Sequence, residues 1–215
     1  MRRLPFPGVF KPHSDSLMLA AQLRLEPQLS GGSVLDLCTG SGVLAIQAAR
    51  HGGREVTAVD VSRRAILATR LNARLNGVQV HALRGDLFSP VRARRYDLIV
   101  SNPPYLPSIE NRLPRRGPAR AWEGGSDGRW FLDRICAQAE SHMAEHGALL
   151  LVHSSLCGEQ ATVEALARRG LAVDVVARRR GPLGERGRAR AQALRARGLL
   201  GEDAEEIVIV RAARR

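Results

Sequence analysis

A chain of 215 residues with 44% hydrophobic content can bury one substantial core, which sets the expectation of a single domain over 1–215. The basic start is broken by Pro5 and Pro7 and lacks the apolar stretch of a signal peptide, and the apolar run 148–152 is far shorter than the roughly 20 residues of a membrane span, so the chain reads as cytoplasmic, with no membrane partner. The formal charge of +12 points toward a polyanion, yet only Lys11 among the 33 basic residues is not arginine, as GC-rich coding would produce.

In chain order, 1–30 reads as an N-terminal segment and a helix over 17–29, with Ser14, Asp15 and Ser16 as capping candidates and an end near Pro27. A strand over 33–38, a turn over 39–42 and a helix over 43–50 follow, then a strand over 55–60 and a helix over 62–76 stopped by Gly77. Strands over 78–83 and 96–101, a helix over 131–145, a strand over 148–153, a helix over 157–169 and strands over 172–178 and 206–211 complete the series. This alternation predicts a doubly wound, mostly parallel seven-stranded α/β sheet of Rossmann-like type. Eight arginines between 178 and 201 stand against Glu185, and four acidic residues follow at once, which predicts a basic, exposed insertion before the last strand. Cys38, Cys136 and Cys157 form neither a CxxC pair nor a Cys/His zinc pattern, so they read as reduced, mostly buried thiols, and no metal is expected.

Chemistry gathers at the carboxyl ends of the first four strands. Asp36, Thr39, Gly40 and Gly42 lie between a strand and a helix, where glycines let a ligand approach the backbone. The spacing suits a dinucleotide turn, with Ala45 at the third glycine position, but a carboxylate at Asp36 would repel a pyrophosphate and suits a cationic or zwitterionic ligand. S-adenosylmethionine, with its ammonium and sulfonium, is such a ligand. Asp60, followed by Val61, ends the second strand where it could accept ribose hydroxyls; Asp86 and Leu87 follow the third strand, placed for an adenine amino group and ring.

Asn102, Pro103, Pro104 and Tyr105 directly follow the fourth strand. The prolines fix φ and carry no N–H. The Pro103 carbonyl and the Asn102 side-chain oxygen can therefore accept both hydrogens of a planar NH2 group, and Tyr105 offers a flat face for stacking. Such positioning is the main catalytic lever these four residues provide, since none is a general base.

These motifs resemble the amino (N-specific) methyltransferases of the HemK/PrmC type, which methylate the glutamine side-chain amide of peptide release factors. The resemblance implies a class I S-adenosylmethionine-dependent methyltransferase fold, that cofactor, and a cofactor loop and catalytic tetrad at 36–42 and 102–105. Residues 121–128 are similar to the family's Gly-Gly-x-Asp-Gly segment, and Val9, Phe10, Pro12 and Asp15 to the N-terminal segment of its short branch. The cofactor turn begins too early for the N-terminal helical domain of the longer members. The short branch implies a small zinc-binding activator subunit as partner. The leading expectation is glutamine methylation, with Phe10, Asn102, Pro103 and Tyr105 receiving the amide. A second is methylation of an exocyclic amine, N6 of adenine or N2 of guanine, in RNA or DNA, supported by Arg112, Arg115, Arg116, Arg120 and the 178–201 stretch, with nucleic acid or the ribosome as partner. Another protein or small-molecule nitrogen, and a non-catalytic cofactor-binding protein, complete the alternatives.

Overall fold

The computed structural model describes residues 1, 2, 4, 6, 9, 14–109, 113, 114, 117–202 and 204–214. Seven strands, β1 (Ser33–Leu37), β2 (Glu55–Asp60), β3 (His81–Arg84), β4 (Tyr96–Ser101), β5 (Met143–Ser154), β6 (Ala172–Pro182) and β7 (Ala204–Ala213), form one sheet in the order β3-β2-β1-β4-β5-β7-β6. The pairs from β3 through β5 are parallel, and β7 runs antiparallel between β5 and β6. The expected doubly wound sheet is present. The structure's helices are α1 (Ser14–Leu23), α2 (Val43–Arg50), α3 (Arg63–Leu75), α4 (Trp130–Gln138), α5 (Glu159–Ala167), α6 (Glu185–Arg188) and α7 (Ala191–Ala196).

Buried apolar residues on adjacent positions of a strand go to opposite faces, as the two-residue period demands. Leu35 and Leu37, Ile99, and Leu149 and Leu151 face a core shared with α4 residues Leu132 and Ile135 and α5 residue Leu166. Val34, Leu98 and Val100, and Leu150 and Val152 face the other core, closed by Leu19 and Leu23 of α1 and by Leu44 and Ala48 of α2. Continuous apolar runs in the central strands follow from this burial on both sides.

Several expected boundaries move, each for a local reason. The first helix stops at Leu23, and Pro27 begins a separate 3-10 turn, because its ring fixes a helical φ but supplies no N–H to a preceding helix. Residues 14–16 form the first turn of α1 rather than a cap ahead of it. The strand expected over 78–83 is β3, His81–Arg84, where pairing with Thr57–Asp60 is available. Residues 139–145 have helical propensity, yet Met143 pairs with Tyr96 and starts a twelve-residue strand; tertiary pairing outweighs propensity here. Gly158, at φ +74°, breaks the predicted helix 157–169, so α5 begins at Glu159.

The stretch 178–201 makes contacts that its sequence does not announce. Arg178, Arg179 and Arg180 lie in β6 and pair with Glu159 and Glu206, Asp15, and Glu202. Leu183, Leu194 and Leu200 bury a small core of their own. Arg188 donates to the Leu183 carbonyl, Arg190 pairs with Glu123, and Arg197 donates to the Ser108 carbonyl. Apart from half-buried Arg190, the arginines of this stretch are exposed, as expected, while making these contacts with other elements.

Among the described residues no helix is long and apolar enough to cross a membrane, and no group of three potential metal ligands occurs. The three cysteines are free, with Cys136 and Cys157 buried. Leu35 is fully buried in the central strand pair. Leu35→Ala is expected to lower unfolding free energy by about 2–5 kcal/mol in urea denaturation monitored by circular dichroism.

Candidate functional site

Parallel pairing aligns Leu37 with both Val59 and Ser101, and Asp60 with Arg84, so four strands end on one edge. A cavity of about 830 Å³ opens along that edge. Its walls include Thr39, Gly40, Asp60, Val61, Asp86, Leu87, Asn102 and Pro104, which end or follow four different strands in the sequence. Asp36, Gly42, Pro103 and Tyr105 stand behind these residues rather than on the wall, and Phe10 lies outside the described residues.

The turn after β1 is tightly specified. Asp36 is fully buried beneath it, and its Oδ2 accepts from Thr39 Oγ1 at 2.6 Å and from the Ala45 N–H at 3.0 Å, while Oδ1 has no partner. Gly40 and Gly42 have φ of +56° and +84°; a Cβ at Gly42 would stand 2.8 Å from Thr69 Cγ2, whereas one at Gly40 would meet open space. Cys38 and Leu87, at φ +57° and +47°, hold the strained left-handed region without being glycine, and both line the cavity.

Asp60 joins the two turns: its Oδ2 accepts from the Gly40 N–H at 3.0 Å and its Oδ1 from the Ser62 N–H at 2.8 Å. Burial raises its carboxyl above the usual range, opposed by these N–H donors and by Arg120. Asp86 is half-exposed and receives both Arg134 terminal nitrogens, at 3.2 and 2.6 Å.

The residues after β4 are held from α1, a connection absent from the sequence reading. Asn102 Nδ2 donates to Ser16 Oγ at 2.9 Å, which leaves its Oδ1 as an acceptor. The Tyr105 hydroxyl donates to Asp15 Oδ2, and Arg179 pairs with Asp15 Oδ1 at 2.8 Å. Burial and the facing Asp15 push the Tyr105 phenol well up. Hydrogen bonds 86 and 90 residues apart in sequence leave no local signal, although the polar residues at 14–16 marked the place.

The glycine-rich segment packs backbone to backbone against the same residues. Leu106 N–H donates to the Trp122 carbonyl at 2.7 Å and Gly124 N–H to the Leu106 carbonyl at 2.9 Å. A Cβ at Gly124 would stand 2.7 Å from the Pro104 carbonyl oxygen, and one at Gly128 only 2.2 Å from that of Tyr105. Cys157 Sγ donates to the Tyr105 carbonyl at 2.9 Å. Trp130 and Phe131, which open α4, and Arg120 also reach the cavity.

With this geometry established, residues 7–113 match the methyltransferase small domain family. A chain of Methanocaldococcus jannaschii assigned by name as a protein N5-glutamine methyltransferase is 32% identical over 179 residues, 83% of this chain and 89% of the relative. A release factor glutamine methyltransferase of Gloeobacter violaceus is 36% identical over 167 residues, 74% of this chain, which spans 57% of the bacterial relative's length. Among solved structures, the Mtq2-Trm112 complex of E. cuniculi, described as methylating the eRF1 translation termination factor, has a TM-score of 0.67 at 21% identity, covering 97% of this chain and 99% of that one. This last likeness is one of fold.

Two expectations test the site's construction. Burial raises the Asp36 carboxyl from 3.8 to about 7, against the opposing Thr39 and Ala45 hydrogen bonds. The folded chain therefore holds this proton more tightly than the unfolded chain, and stability falls as pH rises from about 4 to 7, by an order of magnitude of 4 kcal/mol, and stays low above that. Asp36→Asn keeps an acceptor and removes the titration, so its gain in thermal stability over the parent should be larger at pH 8 than at pH 4.5. Gly128→Ala should cost roughly 2 kcal/mol or more in urea denaturation, whereas Gly31→Ala, at φ +72° in open space, should cost only about 1 kcal/mol of backbone strain.

Proposed function

The chain belongs to the protein N5-glutamine methyltransferase family, and we propose that it transfers a methyl group from S-adenosylmethionine to the side-chain amide of a glutamine in a peptide release factor. The observation that carries this reading is the juxtaposition of Asn102 and Pro104 with Asp60 and Gly40 on one cavity. The residues fit the cofactor. Each Asp60 oxygen accepts one backbone N–H and retains lone-pair capacity for a ribose hydroxyl. The bare Cα of Gly40 leaves room on the wall for a ligand. Val61, Leu87 and Asp86 border the position of the adenine.

When bound, the cofactor supplies a methyl group on a positively charged sulfur. The chain's own contribution is placement. Asn102 Oδ1, oriented by the bond from Nδ2 to Ser16, and the Pro103 carbonyl accept the two amide hydrogens, so the nitrogen lone pair turns toward the methyl group. As the nitrogen gains its fourth bond and positive charge, the same two oxygens stabilise it, and a proton leaves to water from one of these hydrogen bonds. Tyr105, its hydroxyl fixed by Asp15, stands behind the cavity wall and holds the segment that carries Asn102. The likeness of its N-terminal segment to the short branch extends the proposal to a small zinc-binding activator subunit.

The test incubates the chain, with and without such a subunit, with methyl-labelled S-adenosylmethionine and release factor, total RNA or DNA. Label should enter the release factor, vanish when the acceptor glutamine is changed to alanine, and fall about 10²-fold or more with Asn102→Ala. Label in RNA and not in protein would replace this reading with exocyclic-amine methylation; full transfer by the variant would remove Asn102 from its assigned role.

A further inference from the structure

The arginines at the cavity mouth are used differently from those of the C-terminal stretch. Arg63, Arg64, Arg84 and Arg120 line the cavity and are exposed. Of the carboxylates beside them, Asp86 is paired with Arg134 and Glu123 with Arg190, while Asp60 accepts two backbone N–H groups and feels the charge of Arg120 without an ion pair. Among the described residues none of these four arginines makes an ion pair; Arg84 is anchored only through Nε to the Val61 carbonyl at 3.2 Å. In β6, by contrast, three consecutive arginines each find a carboxylate.

A cationic rim opposes a cationic cofactor, since like charges near a low-dielectric cavity repel. The rim therefore does not serve that ligand. Guanidinium forks match phosphate oxygens, and arginines outside ion pairs keep their N–H donors available for them. Trp130 lines the same cavity and is 53% exposed, and an exposed indole sharing a wall with arginines can stack an unpaired base while the backbone is neutralised.

We propose that the rim formed by Arg63, Arg64, Arg84 and Arg120, with Trp130, docks the phosphate backbone and one base of a single-stranded RNA. The rim itself is independent of which nitrogen is methylated; the choice of RNA rests on the proposed release-factor acceptor, which works where RNA is the abundant polyanion. The rim draws on the first turn of α3, the end of β3 and, at Arg120, one of the basic positions already marked in the sequence.

The full chain is titrated against a fluorescent twelve-nucleotide RNA, the same DNA sequence, and polyglutamate as competitor, at several salt concentrations. Binding of RNA should weaken with salt, and replacing the four rim arginines with serine should lower affinity at least tenfold and flatten the log–log salt slope by roughly 2 to 3, about 0.7 per lost phosphate contact. Trp130→Ala should weaken binding with the slope unchanged. Serine at Arg24, Arg50, Arg54 and Arg169, exposed at the opposite edge of the sheet, should change the slope far less. Equal loss in both quadruple variants, equal competition by polyglutamate, preference for DNA, or no RNA binding by the parent chain would each overturn the proposal. These readouts contain no methyl transfer, so failure of the release-factor reading would appear separately, as absence of label in that protein.

Discussion

Everything at the site depends on the shared register of β1, β2, β3 and β4. Leu37 sits opposite both Val59 and Ser101, so the turn after β1, the carboxylate at the end of β2 and the proline-rich exit from β4 must converge. Parallel strands impose this because each crossover returns the chain to the same edge. Asp60 then fastens the convergence by accepting an N–H from the turn of the neighbouring strand.

Around that edge the polar groups divide into those that hold and those that face the cavity. Ser16, Asp15, Cys157 and Arg129 hold. Arg129 donates to the carbonyls of Cys157 and Gly158 and pairs with Asp133, which ties the opening of α4 to the turn before α5. The glycines at 124 and 128 let two backbones approach more closely than any side chain would permit. Arg186, 4.1 Å over the Trp122 ring, and Arg190, paired with Glu123, press on this segment from outside.

What could be read from the sequence was what is local in it. The glycine turn, the acidic strand end and the four residues after β4 each carry their chemistry within a few positions, and the doubly wound, mostly parallel sheet followed from alternation. The bonds that orient Asn102 and Tyr105 could not be read, because Ser16 and Asp15 are distant in sequence and look like ordinary helix caps. The C-terminal arginines are exposed, as a run of like charge suggests, but their pairing with Glu159, Glu202 and Glu206 is supplied by the topology. Strand ends at 143 and 182 were misplaced where pairing with Tyr96 and with Ala204 extends the ladder past the apolar pattern.

Asp15 accepts from Tyr105 through one oxygen and from Arg179 through the other, which joins the first helix, the middle of the chain and the penultimate strand at a single carboxylate. During synthesis Tyr105 leaves the ribosome well before Arg179 does, and a domain folds as a unit. The support of Tyr105 is therefore completed only after β6 has joined the sheet.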